Sequence, residues 1–479
     1  MKITTRSFAK TLFSLINENK KLLIGLSGGM DSVVLLDLCE KIIPSGKLFA
    51  IHINHGLTKE SDNHEKFVYK MDSLKPVSYE EESGIRNILM KLVSYGWEEV
   101  NEEGNLIALK KDKQSITLEP GGQLELSGAP LENIHQTCAE VYEHLRQVKI
   151  VGKDLNVGFL GVGARLEGKL STDLWMPKPR YKIMREYMPK VGGLGLEMMA
   201  DTCTVQVNLD YSSEDDMRRK LKTSFILQPI VTALFASSPI KNMKISEFIS
   251  RRAAIWFDVD KNRCGTPQFI FENNLGFEAW VDYALKVPMY FVKRNGSYIN
   301  CAGCSFEKFM DGQLEQLPNE IPTILDWEDH LSTIFTEIRL KRFIEFRGAD
   351  TGPWRSLCAL PALWVGLLYD SEALNEAESF ANSWSLEMYH KAYKEVPLKG
   401  LDLIVNNKSI KDYAKELITI SKKGLKNRKM HDSSGNDETG YLNQLEEIAN
   451  SGKNQAAEML SILNNSKEAI NEIYEKYSY

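Results

Sequence analysis

Residues 114–128 read QSITLEPGGQLELSG, and the pattern in this stretch decides the fold. Its side chains alternate in character: Glu119, Gln123 and Glu125 have one parity, and Leu118, Leu124 and Leu126 have the other. Successive side chains of a β-strand point to opposite faces, so the polar set shares one face and the leucines share the other. The stretch therefore predicts strands of an antiparallel sheet with one apolar and one polar face.

Three further segments alternate in the same way: HEKFVYK at 64–70, TCTVQVNLD at 202–210 and RLKRFIEFRGAD at 339–350. Their polar sets are Glu65 in the first, Gln206, Asn208 and Asp210 in the second, and Arg339, Lys341, Glu345 and Arg347 in the third. An ordinary solvated sheet face favours Thr, Ser and Lys, whereas these faces combine carboxylates and amides with arginines. The pattern indicates one functional surface assembled from distant parts of the chain.

The residue types on this surface point to a particular chemistry. Carboxylates that converge repel one another unless cations hold them. Oxygen ligands select hard cations such as Mg²⁺, which usually completes its octahedron with substrate phosphates. Arg347 or Arg339 could then bind a carboxylate or phosphate bidentately. The residues alone predict a concave sheet that binds Mg²⁺ and an anionic substrate, and the alternative is a solvated sheet without a ligand.

Bulk properties narrow the class of protein. The chain has 479 residues, enough for two or more structural units, and its net charge of −6 argues against a protein that neutralises nucleic-acid phosphates. The longest apolar run, ALPALWVGLLY at 359–369, is shorter than the ~20 residues of a membrane span. The N-terminus reads as an amphipathic helix rather than a signal peptide. With seven mostly scattered cysteines, we expect a cytoplasmic protein with reduced thiols and no membrane association.

The N-terminal part is organised differently. LLIGLSGGMDS at 22–32 reads as a buried strand, a glycine-rich loop and the start of a helix, and a second apolar strand follows at 48–54. This βαβ unit is the beginning of a parallel sheet. Its loop could bind a nucleotide phosphate through backbone amides and the helix N-terminus. The candidate ATP-binding residues are Ser27, Gly28, Gly29, Met30, Asp31 and Ser32.

The loop, together with LFAIHINHGLTKESD at 48–62, resembles the PP-loop pyrophosphatase superfamily, and within it the tRNA(Ile)-lysidine synthases. That resemblance implies adenylation of a tRNA cytidine with release of pyrophosphate. It covers about residues 20–62, and the family's later paired-histidine, paired-aspartate segment and tRNA-binding region have no counterpart here. Adenylation of tRNA is therefore an alternative hypothesis, and nucleic acid is not an expected partner.

From about Asn63 onward the chain resembles a second family. The segments that carry the resemblance are HEKF, LEPGGQLELSGAP, MPKPRYKIMREYMPK, DTCTVQVNLDYSSEDDM and RLKRFIEFRGADTGPWRSLCALPALWVGLLYD. They are similar to glutamate–cysteine ligases of the plant and alphaproteobacterial type. The resemblance implies an α+β fold with a concave antiparallel sheet flanked by helices, of the glutamine-synthetase and guanido-kinase kind. It also implies the first step of glutathione synthesis, in which L-glutamate, L-cysteine and ATP give γ-glutamylcysteine, ADP and phosphate.

The same resemblance implies a set of site residues. The Mg²⁺ ligands would be Glu65, Glu119, Glu125, Gln206 and Glu345. The catalytic residues would be Arg347, Lys341 and Arg339. The substrate-binding residues would be Arg180, Tyr181, Tyr187, Met188, Arg252, Gln123 and Asn208. ATP would be the co-substrate, and the expected protein is a monomer or a homodimer.

One position departs from that family. The ligases carry Gly-Thr-Glu-His-Glu-Lys-Phe where residues 61–67 here read SDNHEKF, so the neutral Asn63 stands in place of a glutamate expected to bind Mg²⁺. The expected domains are a PP-loop fragment at 1–62, a ligase core at 63–370 and a helical C-terminal part at 371–479. A third hypothesis is an inactive fusion that binds ligands without turnover.

Overall fold

The structure is a computed structural model that describes residues 22–26, 48–52, 63–167 and 174–479. The chain separates into two compact units, Met1–Lys59 and Glu60–Tyr479. In the first unit, β1 (Leu22–Leu26) and β2 (Leu48–His52) pair in parallel, which confirms the two predicted N-terminal strands. The predicted loop from Ser27 to Ser32 lies outside the described residues.

The second unit contains the long sheet. Its described strands, in chain order, are β3 (Asn63–Lys70), β4 (Glu98–Glu102), β5 (Asn105–Lys111), β6 (Gln114–Leu118), β7 (Leu124–Ser127), β8 (Val157–Leu160), β9 (Thr204–Leu209), β10 (Ile240–Lys241), β11 (Lys244–Ile245), β12 (Cys264–Gly265), β13 (Phe291–Arg294), β14 (Ser297–Asn300), β15 (Phe335–Thr336), β16 (Ile338–Leu340), β17 (Ile344–Asp350), β18 (Ile404–Val405) and β19 (Lys408–Ser409).

Nine of these described strands form one sheet with the order β16-β17-β9-β3-β7-β6-β5-β4, and β8 pairs with the second half of β3. Neighbouring strands in this sheet run antiparallel. The apolar parity of the opening stretch is inside, because Leu118, Leu124 and Leu126 are fully buried in the main core. The alternating pattern therefore predicted both the strands and the face that each presents to the core.

Helices cover the apolar face of the sheet. The described helices of the second unit are α1 (Ile85–Leu92), α2 (Ile134–Leu155), α3 (Pro179–Tyr187), α4 (Gly195–Asp201), α5 (Glu214–Phe235), α6 (Arg251–Ile255), α7 (Phe277–Lys286), α8 (Phe306–Met310), α9 (Ile324–Ser332), α10 (Trp354–Leu368), α11 (Ser371–Asn382), α12 (Leu386–Lys399), α13 (Ile410–Arg428), α14 (Asn443–Ser451), α15 (Gln455–Asn465) and α16 (Ala469–Tyr477). The α+β class with a large antiparallel sheet flanked by helices is thus confirmed.

Local sequence explains where the longest helices begin. The side chain of Ser213 caps α5 by accepting a hydrogen bond from the Asp216 amide, and three acidic residues in the first turn complement the helix dipole. The side chain of Asn133 caps α2 by accepting from the Gln136 amide. Helices α2 and α10 pack against each other, and α10 also packs against β9. The main core therefore lies between the sheet and these helices.

One predicted strand is a hairpin. The segment RLKRFIEFRGAD alternates at both ends with the same parity and reads as one strand, but it folds into β16 and β17, with Arg339 directly opposite Glu345. The register of β17 against β9 shifts between Phe346 and Ala349. Gly348 lies in this irregular stretch, where an added Cβ would come within 2.3 Å of the Gln228 Nε2 atom. The turn and the irregularity place Arg339, Glu345 and Arg347 beside one another.

No single helix among the described residues is long and apolar enough to span a bilayer. Within the described part of the chain, one pair of helices, α10 and α11, reaches that length and composition together, and the two are bent by 93° with respect to each other.

The packing of α10 generates a stability prediction. Leu363 is 0% exposed in the main core, whereas Leu386, the first residue of α12, is 41% exposed. Leu363→Ala should lower the free energy of unfolding by about 2–5 kcal/mol, because it removes buried methyl groups and leaves a cavity. Leu386→Ala is the matched control and should cost less than about 1 kcal/mol. Urea unfolding measures both, and equal costs would contradict the position of α10.

Candidate active site

Three glutamates meet on the polar face of the sheet. Glu65 lies on β3 directly opposite Glu125 on β7, and Glu119 follows the end of β6. One carboxylate oxygen from each lies within 4.8 Å of one from each of the others. The sequence predicted these three residues as one group, and the structure brings them together. The spacing of their oxygens is that of a site for a hard divalent cation.

Burial and mutual repulsion disfavour the charged forms of this cluster. Burial first, and then the nearby Glu119, raises the pKa of Glu65 above its usual range, and Arg252 and Arg347 offset only part of that rise. Burial, followed by repulsion from Glu119 and Glu65, raises the pKa of Glu125 well above its usual range. Full ionisation of the cluster would therefore require further positive charge.

Glu345 is not in this cluster, although it was predicted as a fourth carboxylate ligand. Its oxygens accept hydrogen bonds from Arg339 Nε at 2.5 Å and Arg339 Nη2 at 2.9 Å. Arg347 Nη1 lies 3.3 Å and Lys341 Nζ 3.7 Å from the same carboxylate. Burial opposes the charge on Glu345, but the three cations outweigh burial and lower its pKa. Glu345 is therefore the counterion of a cationic cluster.

Arg339 is committed to protein groups. Besides Glu345, its Nη1 atom donates to the carbonyl oxygens of Ser332 at 2.6 Å and Ile334 at 2.9 Å, and the residue is buried. This geometry favours a positioning role for Arg339 over the predicted catalytic one. Arg347 and Lys341 are the two cations of the cluster that retain more exposure, so their predicted contact with substrate stays a prediction.

Gln206 connects the acidic and cationic clusters. Its Nε2 atom donates to Glu65 Oε1 at 3.4 Å, and its Oε1 atom accepts from Arg347 Nη1 at 3.0 Å. The amide oxygen of Gln206, which was predicted to bind the metal, thus accepts a hydrogen bond from an arginine. Asn208, a predicted substrate residue, lies directly opposite Glu345 on β9. Both residues are on the polar face, as their alternation indicated.

Gln123 was predicted to bind substrate, but its side chain is occupied. It is 1% exposed, its Oε1 accepts from the Gly121 amide at 2.9 Å, and its Nε2 donates to the Thr202 carbonyl at 2.8 Å. Met188 is 0% exposed, and its sulfur accepts from the Tyr290 hydroxyl at 3.3 Å. The prediction of direct substrate contact is corrected for both residues, because each side chain is packed inside the protein.

Three of the other predicted substrate residues, Arg180, Tyr181 and Arg252, lie near the glutamates or Arg347, and Tyr187 lies elsewhere. The Tyr181 hydroxyl donates to the carbonyl of Leu118 at 2.6 Å, next to Glu119, and Arg180 Nη2 donates to that hydroxyl at 3.3 Å. Arg252 Nη2 donates to the Arg347 carbonyl at 2.6 Å. Tyr187 packs edge-to-face on Tyr290, farther along α3.

Sequence reasoning missed Lys178, which also bonds next to Glu119. Its Nζ donates to the Leu118 carbonyl at 2.8 Å. Burial first, and then the neighbouring Arg180, lowers the pKa of Lys178 to about 8, although Glu119 and Glu125 favour its charge. The sequence feature that could have identified Lys178 is its position two residues before Arg180 in MPKPRY.

Asn63 supplies an unused oxygen at the same face. It lies opposite Gln206 and has the same parity as Glu65, and its Oδ1 is buried without a hydrogen-bond partner among the described residues. A buried amide oxygen that bonds to no protein group usually meets a water or an ion. The three glutamates and this oxygen together form an all-oxygen set, which fits Mg²⁺ better than a soft metal.

Two sequence families match the chain. The model of glutamate-cysteine ligase family 2 matches residues 63–476, and the model of the PP-loop domain matches residues 2–87. The second range reaches past residue 62, so the two matches overlap at the start of the long sheet.

Individual relatives are plant enzymes. Glutamate–cysteine ligase B, chloroplastic, of Oryza sativa subsp. japonica is 52% identical over 400 residues, which is 83% of this chain and 79% of the relative. The chloroplastic glutamate–cysteine ligase of Nicotiana tabacum is 48% identical over 417 residues, covering 87% of this chain and 78% of the relative. That of Arabidopsis thaliana is 47% identical over 417 residues, again 87% and 78%.

A solved structure of the ligase PafA with the prokaryotic ubiquitin-like protein Pup covers 85% of this chain and 67% of that chain. Its sequence identity is 12% and its TM-score is 0.39, a score too low to assign a fold.

The chain is a ligase, because a ligase family matches most of its length and its α+β fold carries adjoining acidic and cationic clusters. More narrowly, the chain belongs to glutamate–cysteine ligase family 2. The expectation of a cytoplasmic protein is wrong, because the relatives at 47–52% identity are chloroplastic enzymes.

The opposite pKa shifts of Glu125 and Glu345 generate a prediction for the metal-free chain. The pKa of Glu125 is higher in the folded than in the unfolded chain, so the folded state loses stability as pH rises above the ordinary glutamate value of 4.5. Glu125→Gln should therefore stabilise the chain at pH 8 by on the order of 1 kcal/mol, and the gain should vanish toward pH 5.

Glu345→Gln is the matched comparison. The pKa of Glu345 is lower in the folded chain, so its contribution is present above pH 4.5 and is lost as pH falls below that value. This substitution should destabilise the chain at pH 8 by roughly 3 kcal/mol, because three cations lose their counterion. Urea unfolding in EDTA between pH 5 and 8 measures both variants, and a Glu125→Gln chain less stable than wild type at pH 8 would refute the repulsion.

Proposed function

We propose that this chain is a glutamate–cysteine ligase that joins the γ-carboxylate of L-glutamate to the amine of L-cysteine at the expense of ATP. The product would be γ-glutamylcysteine, made in the first step of glutathione synthesis. The observation that carries the proposal is 52% identity to a plant glutamate–cysteine ligase over 83% of the chain. The clusters of acidic and cationic residues on one sheet face support it.

The reaction has two group transfers. First, a γ-carboxylate oxygen of glutamate attacks the γ-phosphorus of ATP, and the bond from that phosphorus to the β-γ bridging oxygen breaks to release ADP. The cysteine amine then attacks the acyl carbon, loses a proton, and displaces inorganic phosphate. In such phosphoryl transfers the protein acts chiefly by positioning the reactants and stabilising charge.

The acidic cluster is suited to hold Mg²⁺. Glu65, Glu119 and Glu125 would be its ligands, and Asn63 has the same parity on β3 as Glu65. Bound there, Mg²⁺ would neutralise the triphosphate and balance the repulsion among the carboxylates. Hydrogen bonds orient two of these carboxylates: Glu65 accepts from the Thr204 amide at 2.9 Å, and Glu125 accepts from the Ser127 hydroxyl at 3.3 Å.

The cationic cluster would bind the phosphoryl group or the glutamate carboxylate. Arg347 is held by Gln206 and Glu345 through its Nη1 atom, which leaves other guanidinium donors for an anion. Lys341 adds a second charge beside the same carboxylate. Glu345 balances one of the three cations, so the cluster retains a positive charge that suits the developing negative charge of transfer.

On the other side of the glutamates, Lys178, Arg180 and Tyr181 line up along the end of β6. The remaining N–H donors of Lys178 and Arg180 would orient a carboxylate of an amino-acid substrate, with Tyr181 holding Arg180 in place. The burial of Lys178 strengthens its charge interactions. Arg252 would support Arg347 through the latter's backbone carbonyl.

The nucleotide product tests the function. The chain is incubated with Mg²⁺-ATP, L-glutamate and L-cysteine, and the products are separated by liquid chromatography. ADP, phosphate and γ-glutamylcysteine in equal amounts are the expected result. AMP with pyrophosphate would instead indicate adenylation through the PP-loop part, and no product at all would indicate an inactive chain; either result overturns the ligase.

The amide at position 63 yields a prediction on cation dependence. Asn63→Asp adds a carboxylate beside Glu65, so the Mg²⁺ concentration for half-maximal activity should fall about 10-fold as the ligand set gains charge. Asn101→Asp on β4 is the control, because it adds the same charge to an exposed strand of the same sheet. An Mg²⁺ dependence that is unchanged by Asn63→Asp would remove Asn63 from the cation site.

A further inference from the structure

We propose that Gln123 and Arg165 are positioning residues that hold Glu119 in the acidic cluster through one backbone segment, residues 199–204, which we call the anchor segment. The inference deepens the proposed function and rests on it, because it concerns the cation site of the ligase. Neither residue needs to touch substrate.

Glu119 lies at the start of a tight turn and needs support from outside that turn. The Glu119 amide donates to the Gln123 carbonyl at 2.9 Å, and the Gly122 amide donates to the Glu119 carbonyl at 3.0 Å. Gly122 has a φ of +80°, which glycine adopts without strain. These bonds close the turn between β6 and β7, but they do not set its direction relative to β3 and Glu65.

The Gln123 side chain ties the turn to the anchor segment. Its Oε1 accepts from the Gly121 amide at 2.9 Å, inside the turn. Its Nε2 donates to the carbonyls of Thr202 at 2.8 Å and Met199 at 3.4 Å, both in the anchor segment. One buried amide thus satisfies backbone groups on both sides, in the turn and in the anchor segment.

Arg165 makes the second tie. Its Nη2 atom donates to the Gly121 carbonyl at 3.0 Å and to the Ala200 carbonyl at 3.2 Å. Its Nε atom lies 3.3 Å from Asp201 Oδ1, and its guanidinium stacks 4.8 Å from the centre of the Phe67 ring. A single guanidinium, fixed by a carboxylate and an aromatic ring, therefore clamps the turn to the anchor segment.

The turn and the anchor segment are also in direct backbone contact. A Cβ atom added to Gly121 would lie 2.4 Å from the Ala200 carbonyl oxygen, so only glycine fits there. The distance between these two pieces of backbone is set by contact as well as by hydrogen bonds.

The anchor segment also orients the second glutamate. Its last residue, Thr204, donates its amide to Glu65 Oε2 at 2.9 Å. The same six residues therefore fix Glu119 through Gln123 and Arg165, and Glu65 through Thr204. Groups that orient metal ligands in this way typically contribute 10–100-fold to metal affinity.

Gln123→Leu tests the connection between the turn and the anchor segment, because leucine has a similar volume to glutamine but makes none of its three side-chain hydrogen bonds. The dissociation constant for Mn²⁺ alone, measured on the substrate-free chain by electron paramagnetic resonance, should rise about 10-fold or more. In assays, excess Mg²⁺ should restore kcat, while KM for cysteine stays within about twofold of wild type. A merely structural role would not give this rescue by the cation.

Gln147→Leu is the matched control. Gln147 is also a buried glutamine, accepting from Trp97 Nε1 at 2.9 Å and donating to Glu143 at 2.9 Å, on α2. It should lower thermal stability without changing the Mn²⁺ dissociation constant. Arg165→Lys is the second variant. It keeps the positive charge but replaces the planar guanidinium with a shorter ammonium, which cannot reproduce the contacts to Asp201 and to both carbonyls with the same geometry. It should therefore also weaken Mn²⁺ binding. If Gln123→Leu does not fold, Arg165→Lys decides.

Mn²⁺ affinity within about twofold of wild type in the folded variants would overturn the inference, and so would an equal loss in Gln147→Leu. A wild-type chain that binds no Mn²⁺ would overturn it together with the cation site. A different result separates the two proposals. If the wild-type chain has no ligase activity but Gln123→Leu still lowers its Mn²⁺ affinity, the proposed function is wrong and the positioning role is supported.

Discussion

The active face depends on an electrostatic constraint: three carboxylates, with oxygens within 4.8 Å of one another, share a largely buried part of the sheet. Burial and repulsion raise the pKa of Glu65 and of Glu125, so the cluster costs folding free energy when it is charged. Apolar residues of similar volume would serve stability better. The proposed cation would supply the balancing charge, and without it the surrounding structure must hold the carboxylates together.

The neighbouring cationic cluster has the opposite balance. Arg339, Lys341 and Arg347 surround the single carboxylate of Glu345, whose pKa they lower. Gln206 separates the two clusters and bonds to one member of each, Glu65 and Arg347. Because an amide carries no net charge, it can join the clusters without neutralising either. The sheet thus keeps an acidic cluster next to a cationic one, an arrangement that suits the proposed nucleotide, whose phosphates need both a cation and arginine donors.

Much of the fold could be predicted from local pattern. The buried strands expected within residues 22–32 and at 48–54 are β1 and β2. Alternation placed Glu65, Glu119 and Glu125 on one face, and the structure gathers them. The same rule failed for RLKRFIEFRGAD, since a hairpin of this length preserves parity across its turn and looks like one strand. The cytoplasmic expectation also failed, because cysteine count and composition describe chemistry rather than destination.

The amino-acid sequence by itself determined the class of fold, the polar face, the three glutamates and the family, because each of these depends on residue type and spacing along the chain. Only the tertiary structure decided which polar side chains remain available. The side-chain amide of Gln123 donates to the backbone of residues 199–204, and Arg339 forms an ion pair with Glu345. Lys178 is a buried cation that bonds next to Glu119. Such outcomes depend on which polar groups the fold brings within 3 Å of one another. For Gln123 and Lys178 these are backbone carbonyls of other segments, and no local pattern of side chains records where those carbonyls will lie.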